Sequence, residues 1–198
     1  MNKKSLKYLF TAVIIFVLLG SFALAEDNGS VRISEIAWSG TEASTRDQWV
    51  ELTNFTDSEV DLSGWELSWE GVKVPLGEEE ENTLTVNNST LQTGEALLLE
   101  MGGDETVATR EADVIYEGLL SYHGERMVLK NDAGEEVDVV DASADWPAGG
   151  TIAEDDPPYA TMELRDGGWV TCQEKGEDEG ADGNPIYGSP GTPNEEGE

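Results

Sequence analysis

Cysteine is nearly absent. Cys172 stands alone, so no disulfide within the chain can brace the fold, and stability has to come from a packed core. An idle buried thiol and a bond to a second chain both remain open for it. Histidine is equally scarce. The single His123, in Ser121-Tyr122-His123-Gly124, has no cysteine partner and no serine-centred elbow to make a nucleophilic pair. Its place before a glycine, between two apolar runs, reads as a turn. Cations are few: 11 lysines and arginines face 42 aspartates and glutamates, a formal net charge of −31. Phosphate binding needs clustered cations, so nucleic acid and anionic lipid surfaces are repelled rather than bound. Cations and basic surfaces fit better, and a solvated, aggregation-resistant exterior follows from the same charge. Helical periodicity is missing too, and after the first two dozen residues no apolar run approaches the roughly 20 residues of a membrane span.

Those first residues form a separate pattern. Lys3, Lys4 and Lys7 precede an apolar stretch from Tyr8 to Leu19, and Ala23-Leu24-Ala25 supplies the small residues that a signal peptidase reads. Residues 1–25 are therefore expected to be a cleaved signal peptide, with the mature chain outside the cytoplasm, and cleavage makes the net charge more negative still. The organisation expected beyond it is a lead-in over 26–30, a folded region over 31–172, and an acidic Gly/Pro-rich tail over 173–198.

What is present is a period of two. Val31, Ile33 and Glu35 alternate, then the phase shifts to Ile36 and Trp38, so a bulge or strand end is expected near Glu35. Strands follow over 48–55, 60–69 with a phase change at Gly64, 83–86, 95–101, 113–117, 125–130, 135–141, 160–164 and 168–172. Asn131-Asp132-Ala133-Gly134 between two alternating runs reads as a hairpin turn. Short strands at close spacing, punctuated by 22 glycines, predict an all-β antiparallel sandwich or barrel. Trp49, Leu52, Leu62, Trp65, Leu67, Leu97, Leu99, Val128, Leu129 and Val137 are its expected core. Glu35 and Glu51 lie within apolar strands, where an unpaired carboxylate is costly. Two readings stay open for them: a pair with Arg126 or Arg165 across the sheet, or orientation toward solvent.

The ordered set Ile33-Ser34-Glu35-Ile36, Trp49-Val50-Glu51-Leu52-Thr53-Asn54 and Val60-Asp61-Leu62-Ser63-Gly64-Trp65-Glu66-Leu67 resembles the opening strands of lamin tail domains, above all the standalone secreted bacterial forms. Leu91-Gln92-Thr93-Gly94-Glu95-Ala96-Leu97, Gly124 to Asp138, Trp146-Pro147-Ala148-Gly149 and Ser189-Pro190-Gly191-Thr192-Pro193-Asn194 extend the resemblance over about residues 31–194. Where the bacterial pattern runs Met-Glu-Arg, this chain has Met162-Glu163-Leu164-Arg165, so no role for that arginine carries over. The resemblance implies an immunoglobulin-like sandwich of lamin tail type that serves as an interaction module without catalysis of its own. No heptad pattern precedes the strands, so assembly through a coiled-coil rod is not expected.

Chemistry has few candidates. Calcium takes about six to eight oxygen ligands, and Asp178, Asp182 and Asn184 in Glu177-Asp178-Glu179-Gly180-Ala181-Asp182-Gly183-Asn184 are the best local set, with Glu154-Asp155-Asp156 second. No other cofactor is implied. Trp38, Trp69, Trp146 and Trp169 exceed what the core needs; exposed on a rim, they would stack on sugars or anchor a protein, and buried they would pack under the tail. Sequons occur at Asn28, Asn54, Asn87 and Asn88. The expected function is a secreted non-catalytic module that binds a protein or cell-surface polymer. The alternatives are a small carboxylate-based polysaccharide hydrolase and a calcium-stabilised adhesion or surface-layer subunit.

Overall fold

The computed structural model describes residues 30–77, 84–85, 89–150, 157–166 and 168–192. The leader, Glu154-Asp155-Asp156 and the sequons at Asn28, Asn87 and Asn88 lie outside these residues. The described residues form no α-helix. They build two packed sheets and a short ribbon. The larger sheet has seven strands in the order β13-β12-β1-β2-β8-β9-β6: Gly168–Thr171, Met162–Arg165, Val31–Ile36, Trp49–Asn54, Ala96–Met101, Val114–Tyr116 and Leu84–Thr85. The smaller is β11-β10-β4-β5: Glu136–Asp141, Arg126–Lys130, Trp65–Trp69 and Val72–Leu76. β3 (Val60–Asp61) and β7 (Thr90–Leu91) pair as the ribbon. All pairings are antiparallel except β8 with β9, which run parallel.

Alternation decides which side chains meet. Ile33, Leu52 and Leu97 stand opposite one another across β1, β2 and β8, as do Ile36, Val50 and Leu99, and these rows face Leu67, Val74, Met127 and Leu129 of the smaller sheet in one buried core. The expected core is largely found there. Trp49 instead faces away from it, in a second cluster with Ala37, Leu98, Val107 and Ile186, Val128 is buried outside both clusters, and Trp65 and Val137 are only partly buried.

The phase shift in the first strand is a bulge. Register slips between Ile33 and Glu35, leaving Ser34 as the extra residue. Ahead of the bulge β1 leaves β12 and leans toward β11, and the Ile33 N–H donates to Asp138 Oδ2 at 2.8 Å, joining the two sheets at this corner. At Gly64, in left-handed backbone with φ +77°, the expected long strand bends: β3 stays in the ribbon and β4 enters the smaller sheet. Gly134 likewise closes the β10–β11 hairpin. Two strands lie outside the expected set, the two-residue β7 and β5, which patterning hides because Pro75 interrupts Val72, Val74 and Leu76. Proline is tolerated there because β5 is an edge strand.

Candidate functional site

A period of two also defines the outer face of the larger sheet. Register places Glu163 of β12 opposite Glu35 of β1, and Glu35 opposite Glu51 of β2. Three glutamates therefore form one cross-strand row, with Val170 of β13 at one end and Leu98 of β8 at the other. Like charges directly opposed across strands are unfavourable, yet all three side chains are buried. Neither open reading of Glu35 and Glu51 holds: both point away from solvent, and neither is the glutamate that the arginines hold. Arg126 pairs with Glu136 on the other sheet, while Arg165 reaches Glu163 Oε2 through Nε at 2.9 Å and Nη2 at 2.7 Å.

Hydroxyls and one backbone amide engage the other carboxyl oxygens, except Glu51 Oε2, which is buried with no hydrogen-bond partner among the described residues. Ser34, at the bulge, donates its Oγ–H to Glu51 Oε1 at 2.6 Å, and the Thr53 hydroxyl reaches the same oxygen at 3.1 Å. The Ser189 N–H donates to Glu35 Oε1 at 3.1 Å, and Ser189 Oγ lies 3.2 Å from Glu35 Oε2 and 3.4 Å from Glu163 Oε1. Burial, reinforced by the neighbouring Glu51 and Glu163 carboxylates, raises the Glu35 carboxyl well above its ordinary value. Burial also pushes Glu51 up to about 7, against the lowering hydrogen bonds from Ser34 and Thr53. One row over, Glu100 of β8 accepts the Thr106 and Val107 N–H groups and is likewise pushed up to about 7 by burial. The ladder sets one contacting guanidinium, Arg165, against three buried glutamates.

The cover over the ladder is the strap, residues 173–192. It docks where the Thr161 N–H donates to Tyr187 O, and it buries Ile186 against Trp49, Leu98 and Val107. Gly188 is there because a side chain does not fit: a Cβ would come within 2.6 Å of Glu35 Oε1 and 3.0 Å of the Trp49 ring. Arg110 ties the strap down from the 104–112 loop, with Nε 3.0 Å from Asp178 Oδ1, Nη1 3.3 Å from Gly191 O and Nη2 2.9 Å from Thr192 Oγ1.

Two of the three calcium candidates lie opposite each other in a local turn, and the third is engaged elsewhere. Asp178 holds Arg110 and the Thr109 hydroxyl, while Asp182 accepts the Asn184 N–H and side-chain amide at 3.0 and 2.7 Å. Among the described residues no group of three His, Cys, Asp or Glu side chains is arranged to hold a metal ion. Three of the four rim tryptophans are buried. Trp38 stacks on Trp146 with ring centroids 5.8 Å apart, their indole N–H groups donating to Ala148 O and Ser121 O, and Trp69 sits edge-on to Tyr116 at 5.2 Å. They close the sandwich end as packing residues, and the side chains left exposed above them are Leu119 and Tyr122. His123 is exposed in that same turn. Asn54, a sequon asparagine, is fully buried, with its amide donating to Ser58 O and Leu91 O.

Trp169, on β13, keeps part of its surface. On the other face of β13, the outer face of the sheet, runs a groove of about 580 Å³ whose walls include Arg165, Val170, Glu174, Lys175 and Ser189. β13 is the outermost strand. The Cys172 N–H donates to Thr161 O, so by alternation Val170 pairs inward with Glu163, while Trp169 and Thr171 turn their peptide groups outward. Val170 is 40% exposed there. Cys172 also lines the groove, but its S–H donates to Glu174 O at 3.2 Å and burial pushes the thiol up to about 12, so it is no nucleophile at neutral pH. Sequence patterning did not single out this groove. Its signals were the apolar Val170 on a short last strand and two of the few cations, Arg165 and Lys175, within a dozen residues of it.

No curated protein matches the chain. A model of the Lamin Tail Domain matches residues 25–144, which contain β1 to β11; β12, β13 and the strap follow it. The match covers well over half of the chain, and the sheets have the immunoglobulin-like arrangement that the resemblance implied: the chain belongs to the lamin tail domain family, a non-catalytic fold family.

Proposed function

We propose that this chain is a secreted, non-catalytic binding module of lamin tail type, which takes an extended segment of a protein or a cell-surface polymer along β13. The observation that carries this reading is the groove itself. It combines an edge strand, an exposed Val170 and two flanking cations on an otherwise acidic surface. Strand addition at such an edge draws affinity from backbone hydrogen bonds and specificity from side-chain pockets. The competing reading as a polysaccharide hydrolase needs two carboxyls flanking substrate in an open cleft. The glutamates that converge here lie sealed beneath the strap, which favours binding over hydrolysis.

Binding is tested by titrating the purified chain against the extracellular protein fraction and the cell-surface polymer fraction of the producing cells. Saturable retention by one fraction, weakened at least tenfold by Val170→Glu, is the expected result. Retention that ignores Val170→Glu, or release of reducing ends from the polymer fraction, overturns the reading. Export is tested by sequencing the N-terminus of the chain recovered from medium, with Glu26 expected as its first residue.

A further inference from the structure

The strap is held by two kinds of contact. Arg110 with Asp178, Gly191 O and Thr192, and Ile186 in its apolar cluster, hold it away from the glutamate row. The contacts of Ser189 and Gly188 are different, because they rest on the carboxyls of the ladder. We propose that the strap is a pH-operated latch, closed over the sheet while Glu35 and Glu51 hold protons and lifted when both are ionised. The inference goes beyond the binding reading and stands without it, although Gly188 and Ser189 also wall the groove.

The charges that face the row come from every element around it. β1 supplies Glu35 and, one row along and opposite Thr53, Arg32. β2 supplies Glu51, β8 supplies Glu100, and β12 supplies Glu163 with Arg165. The strand-to-strap turn brings Cys172 and, paired with Glu42, Lys175. The 104–112 loop brings Asp104 toward Glu100 and Arg110 onto the strap, and Asp47 also faces Glu100. The guanidinium in direct contact with the row, Arg165, is committed to Glu163. Ionising Glu35 and Glu51 therefore adds two negative charges to a buried row whose contacting guanidinium is already bonded to Glu163, although it also attracts Glu35 at longer range.

The direction follows from linkage. Burial raises the affinity of these carboxyls for protons when the strap is closed, so the closed state binds more protons than the open one. Closure is complete in acid and is lost as pH climbs from the ordinary carboxyl range through about 7. For Glu51 alone, a return from about 7 in the closed state to the ordinary 4.5 on opening raises the opening equilibrium about seventyfold between about pH 5 and 9.

Hydrogen exchange of the intact chain from pH 5 to 9, with rates corrected for intrinsic exchange, reads the latch directly. The Ser189 amide, which donates to Glu35, and the Thr161 amide, which donates to Tyr187 O, should lose protection by at least fiftyfold, while Leu52 and Leu99 hold theirs. Glu51→Gln should flatten that profile. Arg110→Ala should lower strap protection at every pH while leaving its slope, which separates anchoring from titration. Strap protection that stays flat from pH 5 to 9, or that falls only in step with Leu52 and Leu99, overturns the latch. So does an undiminished slope in Glu51→Gln. If that variant does not fold, the wild-type and Arg110→Ala profiles still decide the matter.

Discussion

The two faces of the seven-stranded sheet are made by alternate residues of the same strands, and they are buried by opposite means. The inner face sets Ile33, Leu52 and Leu97, then Ile36, Val50 and Leu99, against a second apolar sheet. The outer face sets Glu163, Glu35 and Glu51 in a row and Trp49 beside Glu100, and it is covered by a tail with few apolar residues. Burial alone does not say how a face is held. One face is stabilised by area removed from water. The other is held by hydroxyls and an amide around carboxyls that burial raises, so its stability is expected to fall as pH climbs through about 7.

The largest expected effect breaks the inner face. Leu52→Ala removes side-chain volume from a fully buried site between Ile33 and Leu97, with loss of about 2–5 kcal/mol by denaturant unfolding at any pH. The outer face should respond to charge rather than volume. Glu51→Gln should stabilise the chain by about 1–3 kcal/mol above pH 7, where the folded wild type must either ionise a buried carboxyl or keep a proton that the unfolded chain gives up. The gain should vanish below pH 4.5, where both states of the wild type are already protonated. A gain independent of pH would mean that Glu51 matters for packing alone and would erase the contrast between the faces.

The inner face and the hinge points were legible because they depend on local order. Alternation through Val31 and Ile33, the phase break that became the Ser34 bulge, and the glycine at position 64 each leave a mark within a few residues. β5 was hidden because Pro75 removes a donor that an edge strand does not need. The outer face was half legible. Glu35 and Glu51 stood out inside apolar strands, but their partner Ser189 lies 154 residues beyond Glu35, in a segment whose composition shows no face to bury. Tryptophan excess misled in the other direction, because stacking Trp38 on Trp146 closes the sandwich end and needs no ligand.

A tighter probe of the outer face is Gly188→Ala. The added methyl meets Glu35 Oε1 and the Trp49 ring, so about 1–3 kcal/mol should be lost, seen as a lower Tm and brighter exposure-sensitive Trp fluorescence shifts at pH 5 as well as pH 8. Leu52→Ala should loosen the whole sandwich, whereas this change should loosen the strap first, with Arg110 still engaging Asp178.

The smallest expected effect concerns calcium, and it returns to the charges of the strap. Asp178 is engaged by Arg110 Nε and the Thr109 hydroxyl, and Asp182 is occupied with the Asn184 amides, which hold its carboxyl below the ordinary value. A calcium ion drawing ligands from both would have to break the Arg110 contact that ties the strap down, trading one charge pairing for another. Millimolar calcium and excess chelator should therefore give Tm values within about 1 °C of each other at low ionic strength, since loosely gathered counterions are screened alike by any salt. In Arg110→Ala, where Asp178 is released, calcium should raise Tm more than it does in wild type. A wild-type shift of several degrees that magnesium does not reproduce would place an oxygen-ligand site on the strap and make the outer face a metal-held surface rather than a proton-held one.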